Sequence, residues 1–196
     1  MSIRKKILAI SIGPVLVLGV ITLLFMLTMV KSSLMDEVQD ALKGTAAATL
    51  AAYDQNTGDY LESTNGDIWK GSYNISKSES LVDRIKENTG MDVTFFYGNK
   101  RIMTSALDKK GNRILGSEAG ERVVNQVIKG KKPFFSTNVS LDGTRNYGYF
   151  IPVYQNGTTD QVIGMVFVGT NKARKDAIVN KILGSIMMAL LVVMLL

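Results

Sequence analysis

The hydrophobic pattern changes character three times along the chain. Ile7 to Val30 contains 24 residues without a charge, and as a helix rising 1.5 Å per residue it would exceed the roughly 30 Å of hydrocarbon in a bilayer. From Lys31 the pattern turns periodic. Leu34, Val38, Ala41, Thr45, Ala48 and Ala52 recur at alternating steps of four and three, which predicts that the helix continues over 31–56 with one a/d-like seam. Asn56-Thr57-Gly58-Asp59 then ends it with turn chemistry. At the far end Ile182 to Leu196 is again uncharged, but only 15 residues long, short of the about 20 that a full crossing takes.

Between these ends the period shortens to two. From Met91 to Thr170, runs rich in Val, Ile, Phe, Tyr and Thr are bounded by Gly98-Asn99, Lys110-Gly111-Asn112, Asp142-Gly143 and Asn156-Gly157. β-Branched and aromatic runs between such pairs predict an antiparallel meander. Five runs would form one sheet, with a helix from Ala119 to Ile128 inserted between the second and third and capped at Ser117. Upstream, Ile68 to Ile75 reads as a further strand, and LVDRIKENTG after Ser80 as a helix with Gly90 at its C-terminal cap. Asn171 to Lys181 returns to helix and runs into the second apolar stretch. The predicted class is α+β: an antiparallel sheet core over about 68–170, carried on a long N-terminal helix and flanked by two transmembrane helices.

Charge orients this arrangement. Arg4, Lys5 and Lys6 directly precede the first apolar run, and basic residues favour the cytoplasmic side. Residues 1–6 are expected inside the cell, 7–30 across the membrane, 31–181 outside, and 182–196 at the start of a second span. A cleaved signal peptide would have a shorter apolar region and a small-x-small site, whereas KSSLMDEV follows here. The short second run implies a longer polypeptide whose output portion lies in the cytoplasm.

Composition removes several chemistries. The chain has no cysteine and no histidine, which excludes disulfides, thiolate metal sites, His-based nucleophilic catalysis and a histidine phosphoacceptor. Of a net charge of +6, three units sit at positions 4–6, and 31–181 holds 20 basic against 17 acidic residues. These charges are interspersed and accompany no nucleic-acid-binding motif, so nucleic acid is not an expected partner. The loop DKKGNRILGSE lacks the acidic alternation of a calcium loop. There is no G-x-S-x-G or paired-acid motif, and the expectation is a protein without catalysis and without a cofactor.

The sheet carries the candidate binding chemistry. Arg101 begins a strand with Ile102, Met103, Thr104 and Ser105. A guanidinium among short hydroxyl side chains suits a carboxylate, because paired N–H donors match two oxygens; the alternative is an edge-strand arginine reaching into water. Tyr97, Tyr147, Tyr149 and Phe150 offer aromatic walls or plain core. Strand alternation puts Asn146, Gly148 and Phe150 on one face and Arg145, Tyr147 and Tyr149 on the other, and leaves open which face lines a pocket.

The ordered set Arg101 to Ser105, Asp108 to Ser117, Lys129-Gly130, Tyr149 to Val153 and Val162 to Gly169 resembles the extracellular single Cache domain of bacterial methyl-accepting chemotaxis proteins. That family runs R-I-x-T-S, D-x-x-G-x-R-x-x-G-[ST], a helix ending in K-G, a strand with Y/F-x-P-V/I, and V-I-G-M-x-F/Y-V-G. The resemblance implies a PAS-like sheet with a small-molecule pocket on its outer face. Ligand-binding residues are then expected among Arg101, Thr104, Ser105, Tyr97, Tyr149 and Phe150. It also implies a second span that transmits occupancy to cytoplasmic HAMP and methyl-accepting domains and a chemotaxis kinase complex. The 31–56 seam is expected to pack on a partner subunit as a homodimer, or against the chain's own sheet. Related citrate and dicarboxylate sensor kinases carry a basic residue where this chain has Gly148, the citrate sensors a second one where it has Phe150, and both a histidine where it has Thr104. The expected ligand is therefore a small monocarboxylate, an amino acid or an uncharged molecule. The sensor half of a membrane histidine kinase or diguanylate cyclase is the competing reading.

Overall fold

The computed structural model describes the backbone of residues 3–195, with the side chains of 3–12, 15, 16, 191 and 193–195 outside the description. Residues 39–173 form one compact unit; 1–38 together with 174–196 form the other.

Helix α1 (Ile3–Asp54) is continuous through the apolar run and the periodic stretch beyond it. In its last turns Leu42, Ala46, Thr49 and Tyr53 are buried, at steps of four, three and four. This seam is displaced from the expected one: Ala41 and Ala48 are exposed and Thr45 half-buried. Side-chain size decides the rotation, because Leu42 and Tyr53 remove far more apolar surface from water than the alanines could. Tyr53 meets Phe95 edge-on at 5.2 Å.

Three short strands follow, β1 (Tyr60–Glu62), β2 (Ile68–Lys70) and β3 (Tyr73–Asn74), as a three-stranded antiparallel sheet. The single strand expected over 68–75 is instead a hairpin. It turns at Gly71, whose N–H donates to the Asp59 carbonyl at 3.0 Å and whose φ of 54° leaves no room for a Cβ against the Thr57 carbonyl. Helix α2 (Glu79–Thr89) ends at Gly90 in the left-handed region with φ 68°, as its sequence predicted.

The main sheet comprises β4 (Asp92–Tyr97), β5 (Lys100–Thr104), β6 (Phe134–Leu141), β7 (Thr144–Tyr154) and β8 (Val162–Asn171). It is a five-stranded sheet in the order β5-β4-β8-β7-β6, antiparallel throughout. Its inner face presents Val93, Phe95, Val166 and Val168, all buried, with Tyr53 and Tyr60 packed on Phe95. Its outer face gathers Phe96, Met165, Phe167, Phe150 and Leu141 under Val127 and Ala106.

The helix expected over 119–128 starts two residues later and changes pitch. After Gly120 at its N-terminal cap, α3 (Glu121–Val123) passes into a π-helical stretch, Val124–Lys129. The Gly130 N–H reaches back to the Asn125 carbonyl at 3.0 Å, and a Cβ on Gly130 would crowd the Gln126 carbonyl. Ser117 is not its cap. It lies in the preceding loop, where its carbonyl accepts the Arg101 N–H at 2.9 Å and its Oγ is buried without a partner.

Helix α4 (Lys172–Leu195) continues directly from β8. Among the described residues one helix, reaching from Val17 to Asp54 within α1, is long and apolar enough to cross a membrane. Its outer surface shows Val17, Leu18, Ile21, Leu24 and Phe25, as a lipid-facing helix would. The expected second span in α4 does not meet the same test, and part of its apolar tail falls outside the described side chains.

Candidate functional site

A cavity of about 520 Å³ opens on the outer face of the sheet. Phe96, Phe150 and Phe167 form its floor, β6 from Phe134 to Ser140 one wall, and the segment from Glu118 to Val123 the other. Two local devices shape it. The β6–β7 register slips between Ser136 and Val139, and the extra residue bends the strand at the cavity wall. Beneath the floor Gly148 pairs with Gly169 across β7 and β8. A Cβ at either position would overlap the Phe167 ring, so the glycine pair lets that ring lie down over bare backbone.

Arg101 enters from β5. A slip in the β4–β5 register between Phe95 and Phe96 makes Arg101 and Thr104, three residues apart, share the outer face. The Arg101 side chain retains 8% exposure. Its Nη1 donates to the Ile114 carbonyl over a long 3.3 Å, its guanidinium carbon stands 5.3 Å from the Phe96 ring centroid, and its Nε is buried with no partner. Burial lowers its pKa from the ordinary arginine value, and Asp92 opposes that shift. Arginine still stays charged. A buried donor on a cation left without an acceptor is costly, and an anionic oxygen in the cavity would relieve it.

The remaining expected residues separate by face and by commitment. Phe150 lines the cavity with Arg101. Thr104 shares their face, but its hydroxyl is already used: it donates to the Val93 carbonyl, accepts the Ala106 N–H at 3.1 Å and lies 2.7 Å from the Thr94 hydroxyl. The Ser105 Oγ accepts the Val93 N–H at 2.9 Å and donates to Asp92. Tyr97 and Tyr149 neighbour Phe96 and Phe150 in their strands and therefore project to the opposite face. Tyr147 does likewise, stacking on Phe135 at 6.3 Å and accepting from the Lys172 Nζ at 2.6 Å.

The structure adds lining residues that sequence patterning passed over: Phe96, Phe134, Phe167, Arg122 and Glu118. Arg122 lies 5.3 Å over the Phe134 ring and, like Glu118, is exposed at the rim. The polar run Ser136-Thr137-Asn138 between Phe134-Phe135 and Val139 was the available signal for the β6 wall. Among the described residues no three His, Cys, Asp or Glu side chains converge as a metal site would require. In a second hollow, bordered by Asp83, Lys86, Glu87, Ser105, Leu107 and Arg113, both cations are already engaged: Arg113 Nη1 holds Asp83 at 2.8 Å, and Lys86 pairs with Asp92 at 2.7 Å.

The fold has solved counterparts. An extracellular ligand-binding receptor from Desulfohalobium retbaense superposes with a TM-score of 0.53 at 15% identity, over 79% of this chain and 26% of that one. The sensor domain of the Vibrio cholerae histidine kinase DctB gives 0.53 at 12% identity, over 84% and 59%. The ligand-binding domain of the Campylobacter jejuni chemoreceptor Tlp3, in complex with L-valine, gives 0.50 at 11% identity, over 81% and 60%. The chain thus spans between a quarter and three-fifths of the length of these proteins, and at such identities the likeness is one of fold. No curated protein matches the chain. Residues 73–182, more than half of the sequence, match the family described as Single cache domain 3, and the chain accordingly belongs to that family, as a non-catalytic, ligand-binding sensor domain of the extracytoplasmic Cache type.

Proposed function

We propose that the chain is the sensing portion of a bacterial chemoreceptor that binds a small carboxylate or amino acid outside the cell. The observation that carries this reading is the Arg101 guanidinium, buried on the cavity face with its Nε lacking an acceptor. An arriving carboxylate would take that donor and, by drawing the guanidinium toward the cavity, lengthen the already long bond from Nη1 to the Ile114 carbonyl, loosening the loop that closes over β5. Phe167 of the floor belongs to β8, which runs without a break into α4. A shift of the floor along β8 would move α4, acting as the second span, relative to α1, and signal to cytoplasmic HAMP and methyl-accepting domains coupled to a kinase complex. A homodimer through the 31–56 helix fits this scheme, since Ala41, Gly44, Ala48 and Ala51 form an uncovered small-residue face. Such a device works by binding one helix arrangement better than another.

The test is thermal unfolding of the full chain in lipid nanodiscs across a panel of small carboxylic and amino acids. At least one acid is expected to raise the melting temperature saturably, and Arg101→Ala is expected to abolish that rise. A panel without effect, or a rise that Arg101→Ala leaves intact, would overturn the proposal. The same fold in a histidine-kinase sensor domain supports a second reading, as the front end of a membrane histidine kinase or diguanylate cyclase. Ligand-dependent methyl-group incorporation in native membranes favours the chemoreceptor, and ligand-dependent phosphoryl transfer or cyclic dinucleotide synthesis favours the enzyme.

A further inference from the structure

We infer that the preferred ligand of this cavity is an aromatic monocarboxylate: a planar ring resting on Phe150 and Phe167, with its carboxylate held by the Nε edge of Arg101. The inference rests on the reading that this cavity is the sensing site, and narrows it to one chemical class.

Charge sets the number of anionic groups at one. Arg101 is the buried cation of the lining, whereas Arg122 is exposed to water at the rim, where an ion pair contributes little. The floor positions Gly148 and Phe150 bring no cation, and Gly148 cannot hold one, since even a Cβ there meets Phe167 and Val139. Glu118, also at the rim, would repel a second carboxylate. An α-amino acid is disfavoured for the complementary reason. Its ammonium would need a compensating negative charge, and among the described lining residues the acid is Glu118, which is exposed.

Size and wall chemistry select the rest of the molecule. About 520 Å³ lies in the range of sites that enclose a ligand of drug-like size, about 300–1,000 Å³. An acid carrying a ring fills more of that space than acetate or pyruvate and gains dispersion contacts along the walls. The walls are aromatic and mutually tilted. Phe150 and Phe167 have centroids 4.8 Å apart at 42°, and Phe134 and Phe150 6.4 Å apart at 31°. A ring laid across them meets both faces and edges, the geometries aromatic pairs prefer. The guanidinium carbon stands 5.3 Å from the Phe96 ring centroid, and its paired donors match the two oxygens of the carboxylate. Ser136 and Thr137 on β6 supply hydroxyls for a polar substituent on the far side of the ring.

Isothermal titration of the nanodisc-embedded chain decides it, with benzoate and 4-hydroxybenzoate set against acetate, succinate and L-leucine. The aromatic acids should bind at least about tenfold more tightly than the others. Arg101→Lys, which keeps the charge but loses the planar fork, should weaken them by about tenfold or more. Phe134→Leu, at the half-buried edge of the floor, should weaken them several-fold while leaving acetate unchanged; melting of the unliganded variants establishes that each is folded. Arg101-dependent binding of acetate, succinate or L-leucine in preference to the aromatic acids overturns the inference and leaves the sensing site in place. Aromatic acids bound equally well by Arg101→Lys and Phe134→Leu would lie elsewhere, which also overturns it. Silence from every acid removes both the inference and the reading beneath it.

Discussion

Tyr60 shows how single residues tie this domain together. Its ring stacks on Phe95 at 5.8 Å, its hydroxyl donates to Asp54 Oδ1 at 2.8 Å, and its backbone exchanges hydrogen bonds with the Gln155 side chain. Burial, and then the bond to Asp54, raise its pKa well above the ordinary tyrosine value. The folded state therefore keeps the phenol protonated at a pH where the unfolded chain ionises. The associated stability is complete below about pH 10 and declines as pH rises toward the folded pKa. Tyr60→Phe is expected to cost about 1 kcal/mol at neutral pH and to flatten the alkaline decline, measured as melting temperature against pH. Asp83 behaves oppositely. The hydrogen bond from Arg113, opposed by partial burial, lowers its pKa, so its contribution is present above about pH 4 and lost as pH falls below it. The pair is partly exposed, Arg113 at 21% and Asp83 at 43%, and Asp83→Asn should cost about 1 kcal/mol after screening by solvent while removing part of the acid-side slope of the same curve. At this scale the sequence disclosed Arg101, because a cation among hydroxyls and apolar residues is conspicuous. It did not disclose that Tyr97 and Tyr149 turn away from the cavity: strand alternation gives two faces, and only the packing of Tyr53 on Phe95 says which one is covered. Thr104 and Ser105 were legible as hydroxyls but not as hydroxyls already engaged by the backbone of β4.

Among the elements, β8 is the most constrained. It sits at the centre of the five-stranded sheet, and at Gly164 a Cβ would run into the Phe96 carbonyl. Gly164→Ala should therefore force a backbone shift in β4 and cost about 3 kcal/mol, the upper end of overpacking penalties, read by urea unfolding of the detergent-solubilised chain. The five strands were legible because each is a β-branched or aromatic run between turn pairs. The helical stretches were less so. Alternating steps of four and three along α1 admitted more than one seam, and the bulk of Leu42 and Tyr53 settled it. Between 119 and 130 a period near 3.6 implied an ordinary helix, whereas the close approach of Gly130 to the Asn125 and Gln126 carbonyls widens the coil, a tertiary effect that spacing does not carry. The bulge between Ser136 and Val139 is of the same kind.

For the molecule as a whole, the organising fact is that one continuous helix joins an apolar outer stretch to a folded sensor. Leu18 is 66% exposed within that stretch, and Leu18→Arg would set a charge against lipid at a cost of about 3 kcal/mol. The variant is expected to be released from membranes by alkaline carbonate while the parent chain is retained. The overall class and the extracytoplasmic role were visible in the order of the patterns. The cavity was visible only in part, since one of its walls is a loop and short helix brought over the sheet by long-range pairing. The bare backbone under Phe167 has a mechanical corollary. A side chain at rest on two glycines cannot sink further, so the floor of the chamber resists indentation and moves only by sliding as one piece with β8. An occupant must then be admitted by yielding of the opposite flank, residues 118–123. Mutations there should alter how fast molecules enter and leave, more than how firmly they are finally held.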